Sequence, residues 1–520
     1  MSKSTGEFRF KGRSLAELTA LVTATSGETF ETLSPLTGAP LARIPLSDDA
    51  DVVDAIETAR DHQPNWAKLA VADRAVRLLR FHDLLLDNQA ALLDLICLDS
   101  GKTRMDAYTE VVHLTLTARY YAIRGPALLR GRRALALLPV VTQVGVSRVP
   151  KGVVGLITPW NYPLTMAICD GLAALLAGNT VVDKPASETV LSAVAGVALL
   201  RAAGIPAEAW QVVAGPGPRI GPQLVDQTDM ICFTGSTETG RTLAAATGAQ
   251  LKSITAEAGG KNPAIVLADA DIQAAADGLA RACFDNAGQL CVHIERIYVA
   301  DAIADQFQSV FVAAVSALKL APGLGWDAEV GTLISPAQLE KVTEHLADAR
   351  AKGATVLCGG RARPDLAPWC HEPTVLTGVT REMTCYLDET FGPLVSLYRF
   401  GDEDEAVRLA NQGEDGLNAS IWTRDHARGR RIAARLRAGS VNINDGYEAS
   451  LSAIDAPMGG MGTSGMGRRQ GREGVYRFTE PQAVATQRLI PLAPFGGLDA
   501  KGFARFTNGV LRVQRRLRLP

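Results

Sequence analysis

Two residues of this chain have matched chemistry. Cys291 closes Asn286-Ala-Gly-Gln-Leu-Cys291, and Glu257 opens Glu257-Ala-Gly-Gly-Lys-Asn262, 34 positions upstream. A thiol nucleophile and a carboxylate base are the two groups needed to make a thioester and then hydrolyse it. Neither is diagnostic alone, because a free cysteine is usually an inert buried residue and a lone glutamate is usually solvated surface. The small or polar Asn286, Gly288 and Gln289 before the thiol suit a tight exposed loop better than a core. Attack by the thiolate on a carbonyl creates an oxyanion, for which the backbone N–H of Cys291 and the side-chain amide of Asn161 are candidate donors. Between Trp160 and Tyr162, Asn161 also suits an ordinary turn.

Glycine turns supply a second kind of chemistry. Gly235-Ser-Thr-Glu-Thr-Gly240 follows the apolar Met230-Ile-Cys-Phe233 and opens a helical stretch, so Gly235 and Ser236 can present a helix N-terminus to a pyrophosphate. Gly215-Pro-Gly-Pro-Arg-Ile-Gly221 is a further glycine turn. Such turns are common and carry weight only in company.

These groups need a scaffold, and the periodicity supplies one. Apolar residues recur at helical spacing from Asp48 to Glu110 (Val52, Val53, Ile56, then Leu78, Leu79, Leu84, Leu85), as in amphipathic helices over a sheet. Gly131 to Arg148 reads as extended hairpin material broken by Pro139. Short apolar strands then alternate with helices: Gly152–Ile157, Pro163–Leu176, Asn179–Asp183 and Val190–Ala203. A second series begins after Asn262, with strands at Pro263–Leu267, Ile297–Val299, Thr355–Leu357 and Leu394–Tyr398 and a helix at Ile272–Asn286. The pattern predicts doubly wound α/β units with a ligand cleft near their join.

Bulk properties narrow the class. The 520 residues allow several folding units and an ample core. Fifty-three basic against 55 acidic residues leave a formal charge of −2, which argues against a nucleic-acid partner. The eight cysteines are scattered with no C-x-x-C pair and no compact metal spacing, so no metal site is expected and the thiols suit a reducing cytosol. Met1 to Phe8 lacks an apolar signal core and no run of 18 apolar residues occurs; a soluble cytoplasmic protein is expected.

Taken in order, Pro159-Trp-Asn-Tyr-Pro163, Lys184-Pro-Ala-Ser-Glu188, Phe233-Thr-Gly-Ser236, the Glu257 and Cys291 segments and Glu389-Thr-Phe-Gly-Pro393 resemble the aldehyde dehydrogenase superfamily, from about Phe30 to Val484. Ala456-Pro-Met-Gly-Gly-Met-Gly462 and Gly467-Arg-Arg469 are similar to the actinobacterial NADP-dependent succinate-semialdehyde dehydrogenases of the second type. The resemblance implies a Rossmann-type NAD(P)-binding domain at 1–130 and 149–256, an α/β catalytic domain at 257–463, an oligomerisation β-flap at 131–148 and 479–489, and a basic tail at 490–520. Homodimers or homotetramers follow from the flap. It further implies oxidation of a small-molecule aldehyde to its acid, with Cys291 as nucleophile and Asn161 as oxyanion donor. Glu257 would activate the water that hydrolyses the thioester, and deprotonation of Cys291 is open to it. Relatives that acylate coenzyme A typically lack that carboxylate, so release of a free acid is expected. A non-catalytic protein on the same fold would have been signalled by loss of Cys291 or Glu257, and both are present. Trp160, Gly215, Gly235, Ser236, Glu389 (nicotinamide ribose) and Phe391 (nicotinamide wall) are the implied cofactor residues. NAD-preferring relatives carry glutamate three residues after the lysine, where this chain has Ser187. Lys184 with Ser187 can hold a 2′-phosphate, so NADP is expected over NAD, with Glu188 the group that could restore NAD binding.

Several positions depart from the family pattern. Ala258 replaces the usual leucine after Glu257. The arginines that grip a substrate carboxylate in other succinate-semialdehyde dehydrogenases correspond here to Cys169 and Asp285, neither of which binds a carboxylate and the second of which would repel one. His293 stands where redox-sensitive relatives place a second cysteine, and is expected in the pocket wall. Arg469 replaces a glutamate thought to relay protons, and could instead pair with Glu257 or attract an acidic substrate. In the tail, Lys501, Arg505, Arg512, Arg515, Arg516 and Arg518 interleave with Phe503, Phe506, Val510, Leu511, Val513 and Leu517. That permits an amphipathic helix on an anionic membrane. Gly502 and Gly509 weaken it, and packing on a neighbouring subunit is the expected alternative.

Overall fold

The computed structural model describes residues 9–137 and 141–518. Pro139 and the segment Met1 to Phe8 lie outside the described residues. Four helices open the main body: α1 (Asp49–Lys68), α2 (Val71–Asp87), α3 (Gln89–Ser100) and α4 (Arg104–Leu128). Reciprocal capping boxes fix the starts of α1 and α4, with Asp48 and Asp51 exchanging side-chain and backbone bonds in one and Thr103 and Asp106 in the other. Val52, Ile56, Leu78 and Leu85 are buried as their spacing predicts, while Leu79 turns out to be 40% exposed.

A three-stranded antiparallel arm follows. It comprises β1 (Arg132–Ala134), β2 (Thr142–Pro150) and, from far downstream, Thr479–Gln487, with β2 in the middle. The chain then enters a six-stranded sheet: β3 (Val153–Ile157), α5 (Pro163–Ala177), β4 (Thr180–Lys184), α6 (Val190–Ala202), β5 (Trp210–Val212), α7 (Gly217–Gln227), β6 (Met230–Thr234), α8 (Thr237–Ala249) and β7 (Ser253–Glu257). These five strands are parallel, in the order β7-β6-β3-β4-β5. The near-continuous apolar sequences of β3 and β6 fit burial on both faces, and α5 and α6 are buried along almost their whole length.

The second sheet has seven strands: β8 (Asn262–Val266), then α9 (Ile272–Phe284), β9 (Ile294–Ala300), α10 (Ala304–Ala317), α11 (Pro336–Ala351), β10 (Thr355–Cys358), β11 (Thr374–Thr377), β12 (Leu394–Phe400), β13 (Asn418–Trp422) and β14 (Ser440–Ile443). Its order is β10-β11-β12-β9-β8-β13-β14, parallel except for the β10–β11 pair. Residues 464–478, outside both domain segments expected from sequence, return to the first sheet: β15 (Gly465–Met466) pairs antiparallel with Ala256 and Glu257. After α12 (Gly471–Tyr476), β16 (Thr479–Gln487) completes the arm, pairing with β2 from Thr479↔Pro150 to Gln487↔Thr142. The tail forms α13 (Ala500–Arg516) in spite of Gly502 and Gly509, capped by Asp499, with no buried residue. Among the described residues no helix is long and apolar enough to cross a membrane.

Candidate active site

The register of the first sheet explains how distant motifs meet. Ile157, Lys184, Thr234 and Glu257 are the last residues of β3, β4, β6 and β7, so every motif in that half starts at the carboxyl end of a parallel strand. Crevices outside those ends are the preferred ligand position in open α/β sheets. From the other side, Cys291 precedes β9 and Glu389 and Phe391 precede β12, at the amino ends of second-sheet strands. One cavity of about 230 Å³ lies between, room for a small molecule, and Cys291, Glu257, Asn161, Trp160, Gly235, Ser236, Glu389 and Phe391 all line it.

The loop before Cys291 is tight as expected but buried, contrary to the exposed loop read from its polarity. Asn286, Ala287 and Gly288 are all left-handed (φ 52°, 55° and 72°), and Asn286, Ala287 and Gln289 are each no more than 2% exposed. Their polar groups are spent internally. Asn286 Nδ2 donates to the carbonyls of Asn161 (3.1 Å) and Gln289 (3.0 Å), and Gln289 Oε1 accepts from Ile334 N. A polar loop can therefore be core when it satisfies itself. Asn262 Nδ2 holds the Cys291 carbonyl at 2.7 Å, and the thiol itself is half-buried. Burial pushes that thiol up to about 12; Arg469 opposes the shift, and Glu389 and Glu257 reinforce it. The Asn161 amide donates once, to Gln289 O at 3.1 Å, leaving its second N–H for a ligand. The Asn161 backbone is held by Lys102, whose Nζ reaches Asn161 O at 2.8 Å and Glu110 Oε2 at 2.7 Å, with both charged side chains wholly buried.

Glu257 is 6% exposed and lies against Gly459, where a Cβ would come within 2.8 Å of its Oε1. Burial pushes its carboxyl up to about 7, with Arg469 the strongest opposing influence. Arg469 pairs with Asp170 at 3.0 Å rather than directly with Glu257, and donates to Thr234 Oγ1 at 2.6 Å. Arg477 holds the other Asp170 oxygen.

Glu389 rests on the Gly259-Gly260 turn. Gly260 N donates to its Oε1 at 2.9 Å, and a Cβ on Gly259 would fall 2.1 Å from Oε2, so only glycine admits the carboxylate there. Phe391, itself left-handed at φ 54°, packs edge-on to Trp160 at 5.5 Å. Ser236 is the N-cap of α8, its hydroxyl accepting from Thr239 N. Lys184, Ser187 and Gly215 do not line this cavity. They gather at the ends of β4 and β5, where a Cβ on Gly217 would stand 3.9 Å from Lys184 Cε. Lys184 is buried with Nζ on the Pro185 carbonyl, Ser187 is half-buried, and Glu188 is exposed.

Three sequence expectations are corrected. Asp285 does not face the cavity, so it would not repel a substrate there; its Oδ2 accepts from Tyr447 at 2.6 Å in a separate recess with Arg281. Cys169 is buried on α5 with its sulfur toward Asp170 and is likewise absent from the lining. His293 is not a wall residue but stands fully buried behind Phe391, 3.0 Å from Glu295. Sequence reasoning missed Lys102, Glu110, Asp170 and His113. Glu110, His113 and Asp170 showed only as charged or polar residues inside a helix, and Lys102 as a lysine in the short connection between α3 and α4, neither of which names a partner.

The chain matches the aldehyde dehydrogenase family over residues 21–484. A protein of Mycobacterium tuberculosis named "Putative succinate-semialdehyde dehydrogenase (NADP(+)) 2" is 47% identical over 481 residues, 92% of this chain and 93% of that one. Mitochondrial succinate-semialdehyde dehydrogenase of Oryza sativa subsp. japonica is 38% identical over 478 residues, 90% of this chain and 88% of that one. The crystal structure of an E. coli NADP-dependent enzyme superposes with a TM-score of 0.86 at 35% identity, covering 90% of this chain and 96% of that one.

Proposed function

The chain belongs to the aldehyde dehydrogenase family, and on that premise we propose that it oxidises a small aldehyde to its carboxylic acid with NADP⁺, in the manner of a succinate-semialdehyde dehydrogenase. The observation that carries the reading is the convergence of Cys291, Glu257 and Asn161 with Gly235, Ser236, Glu389 and Phe391 on one cavity between two sheets. Cys291 passes its proton through ionised Glu257 to solvent as its Sγ adds to the aldehyde carbon, and the oxyanion so formed is held by the Cys291 N–H and the free N–H of Asn161; loss of hydride from that carbon then leaves the thioester. Glu257 takes a proton from the water that then hydrolyses the thioester.

The residues present fit a dinucleotide. A helix N-terminus at Ser236, the Glu389 carboxylate over a glycine cradle, and Phe391 against Trp160 would hold its nicotinamide half; Lys184, Ser187 and Gly215 would hold its adenosine half. When bound, it supplies the hydride acceptor. Lys184 is buried with the hydroxyl-bearing Ser187 three residues on, while Glu188 is exposed and one place too late to occupy the ribose position, which favours NADP⁺ with NAD⁺ as the weaker substrate. The apolar lining of Leu290, Val292, Met166, Leu451 and Met458 favours a second reading, a broad-specificity enzyme for uncharged aldehydes. A homodimer or homotetramer built on the β1–β2–β16 arm, in the cytoplasm, completes the proposal. The test is NADPH formation from succinate semialdehyde against uncharged aliphatic and aromatic aldehydes. A higher kcat/KM for succinate semialdehyde supports the first reading, a lower one the second, and no NADPH from any aldehyde removes both. Coenzyme A dependence of NADPH formation would overturn the role given to Glu257.

A further inference from the structure

The buried charges beside Glu257 do not balance without it. Arg469 and Arg477 contribute two guanidinium groups with side chains 5% and 7% exposed, and one carboxylate, Asp170, bonds to both. A buried surplus of one sign is costly unless another charge compensates it. Arg469 carries the surplus toward the cavity: Nη2 is held by Asp170 and Thr234, and Nη1 is spent on the thioether of Met166 at 3.0 Å, a weak acceptor. Thr234 lies directly across from Glu257 in the β6–β7 register. Glu257 Oε1 is buried with no hydrogen-bond partner among the described residues. Counted together, two guanidinium groups and two carboxylates come to zero only when Glu257 is ionised.

We propose that Arg469 is a positioning residue that favours the carboxylate form of Glu257 against the cost of burying it, through the charge balance of the Arg469–Asp170–Arg477 cluster. The inference rests on the role of general base proposed for Glu257. The groups facing that carboxyl are Arg469 and Arg468 from the loop before α12, Arg477 from the turn after it and Asp170 from α5, with the Cys291 thiol across the cavity. His113 on α4 faces Arg469 and Asp170 and stays neutral, its pKa lowered to about 4 by burial and then by Arg469. The rise of Glu257 to about 7 on burial, opposed first by Arg469, agrees with this balance.

Two variants shift the balance in opposite directions. Arg469→Gln leaves Arg477 and Asp170 paired, so ionising Glu257 creates an unmatched charge, and the acid limb of kcat should rise by about one pH unit. Asp170→Asn raises the surplus, and the limb should fall by about as much. Arg469→Lys should return the limb toward the wild-type position. A role in packing alone would lower kcat in both variants while leaving the limb in place, which would overturn the inference, as would movement of both limbs in one direction. Should Arg469→Gln fail to fold, Arg477→Gln lowers the same surplus and should also raise the limb. Infrared difference titration, each protein against its own Glu257→Gln counterpart, reads the carboxyl without turnover. A wild type inactive toward every aldehyde would sink the proposed function, whereas a Glu257 titration unmoved by Arg469→Gln would sink this inference alone.

Discussion

Burial acts unequally on Cys291 and Glu257, pushing the thiol up to about 12 and the carboxyl only to about 7. The thiol therefore rests protonated and the carboxyl is half ionised. A base works only when ionised, so kcat should climb as pH rises through about 7 and fall below it. Glu389 is also raised by burial to about 7, and Glu257→Gln separates the two: if Glu257 is the base, the limb disappears with it. The same variant should accumulate acyl-enzyme, seen as a mass increment on Cys291. Normal turnover by Glu257→Gln would remove Glu257 from the reaction. Cys291→Ala should abolish NADPH formation while NADP⁺ still binds, measured by fluorescence titration. At this scale the sequence was informative wherever a motif recruits its own neighbours, as Cys291 does. It was silent on Asp170, inside α5, and on Lys102, between α3 and α4, because a lone charge names no partner until the fold brings one from a distant segment.

The elements meet through contacts that admit no side chain. A Cβ on Gly288 would lie 2.2 Å from the Gly392 carbonyl, at a φ of 72° that already disfavours alanine. Backbone cannot step aside as a flexible side chain can, so Gly288→Ala should cost about 2–4 kcal/mol in denaturant unfolding and most of kcat. Gly259→Ala meets the movable end of Glu389 instead. It should raise KM for NADP⁺ severalfold with little loss of stability, and the contrast between the two variants is the check. Lys102→Met strands Glu110 in a site where both side chains are wholly buried, a loss of about 3–5 kcal/mol by the same unfolding measurement. Alternating apolar strands and helices were read correctly because period and length agree in those segments. The 286–291 loop was misread as exposed, since polarity there reports internal hydrogen bonding and not solvent.

Across the whole molecule, the cavity depends on segments far apart in sequence, and so does the arm: β2 ends at Pro150 and meets β16 at Thr479. Their strand signals were legible, but the pairing came from resemblance, because nothing local in either strand specifies a partner over 300 residues away. The arm leaves Val484 at 56% exposure, with Leu135 at 68% and Leu489 at 70% just beyond its strands, and α13 with its C-cap adds Val513 at 55% and Leu517 at 64%. Apolar surface concentrated in one region of a chain marks an association surface more often than chance exposure. If the arm builds the oligomer, a cation at its centre should weaken association: Val484→Lys leaves a charge to be desolvated at the interface for no gain in pairing. The wild type should then sediment as a dimer or tetramer at micromolar concentration, and Val484→Lys should shift toward monomer as it is diluted. Its cavity is formed within one chain, so the dissociated variant should retain NADP⁺ binding. A wild type that sediments as a monomer, or a Val484→Lys protein that associates unchanged, would place the interface elsewhere on the surface.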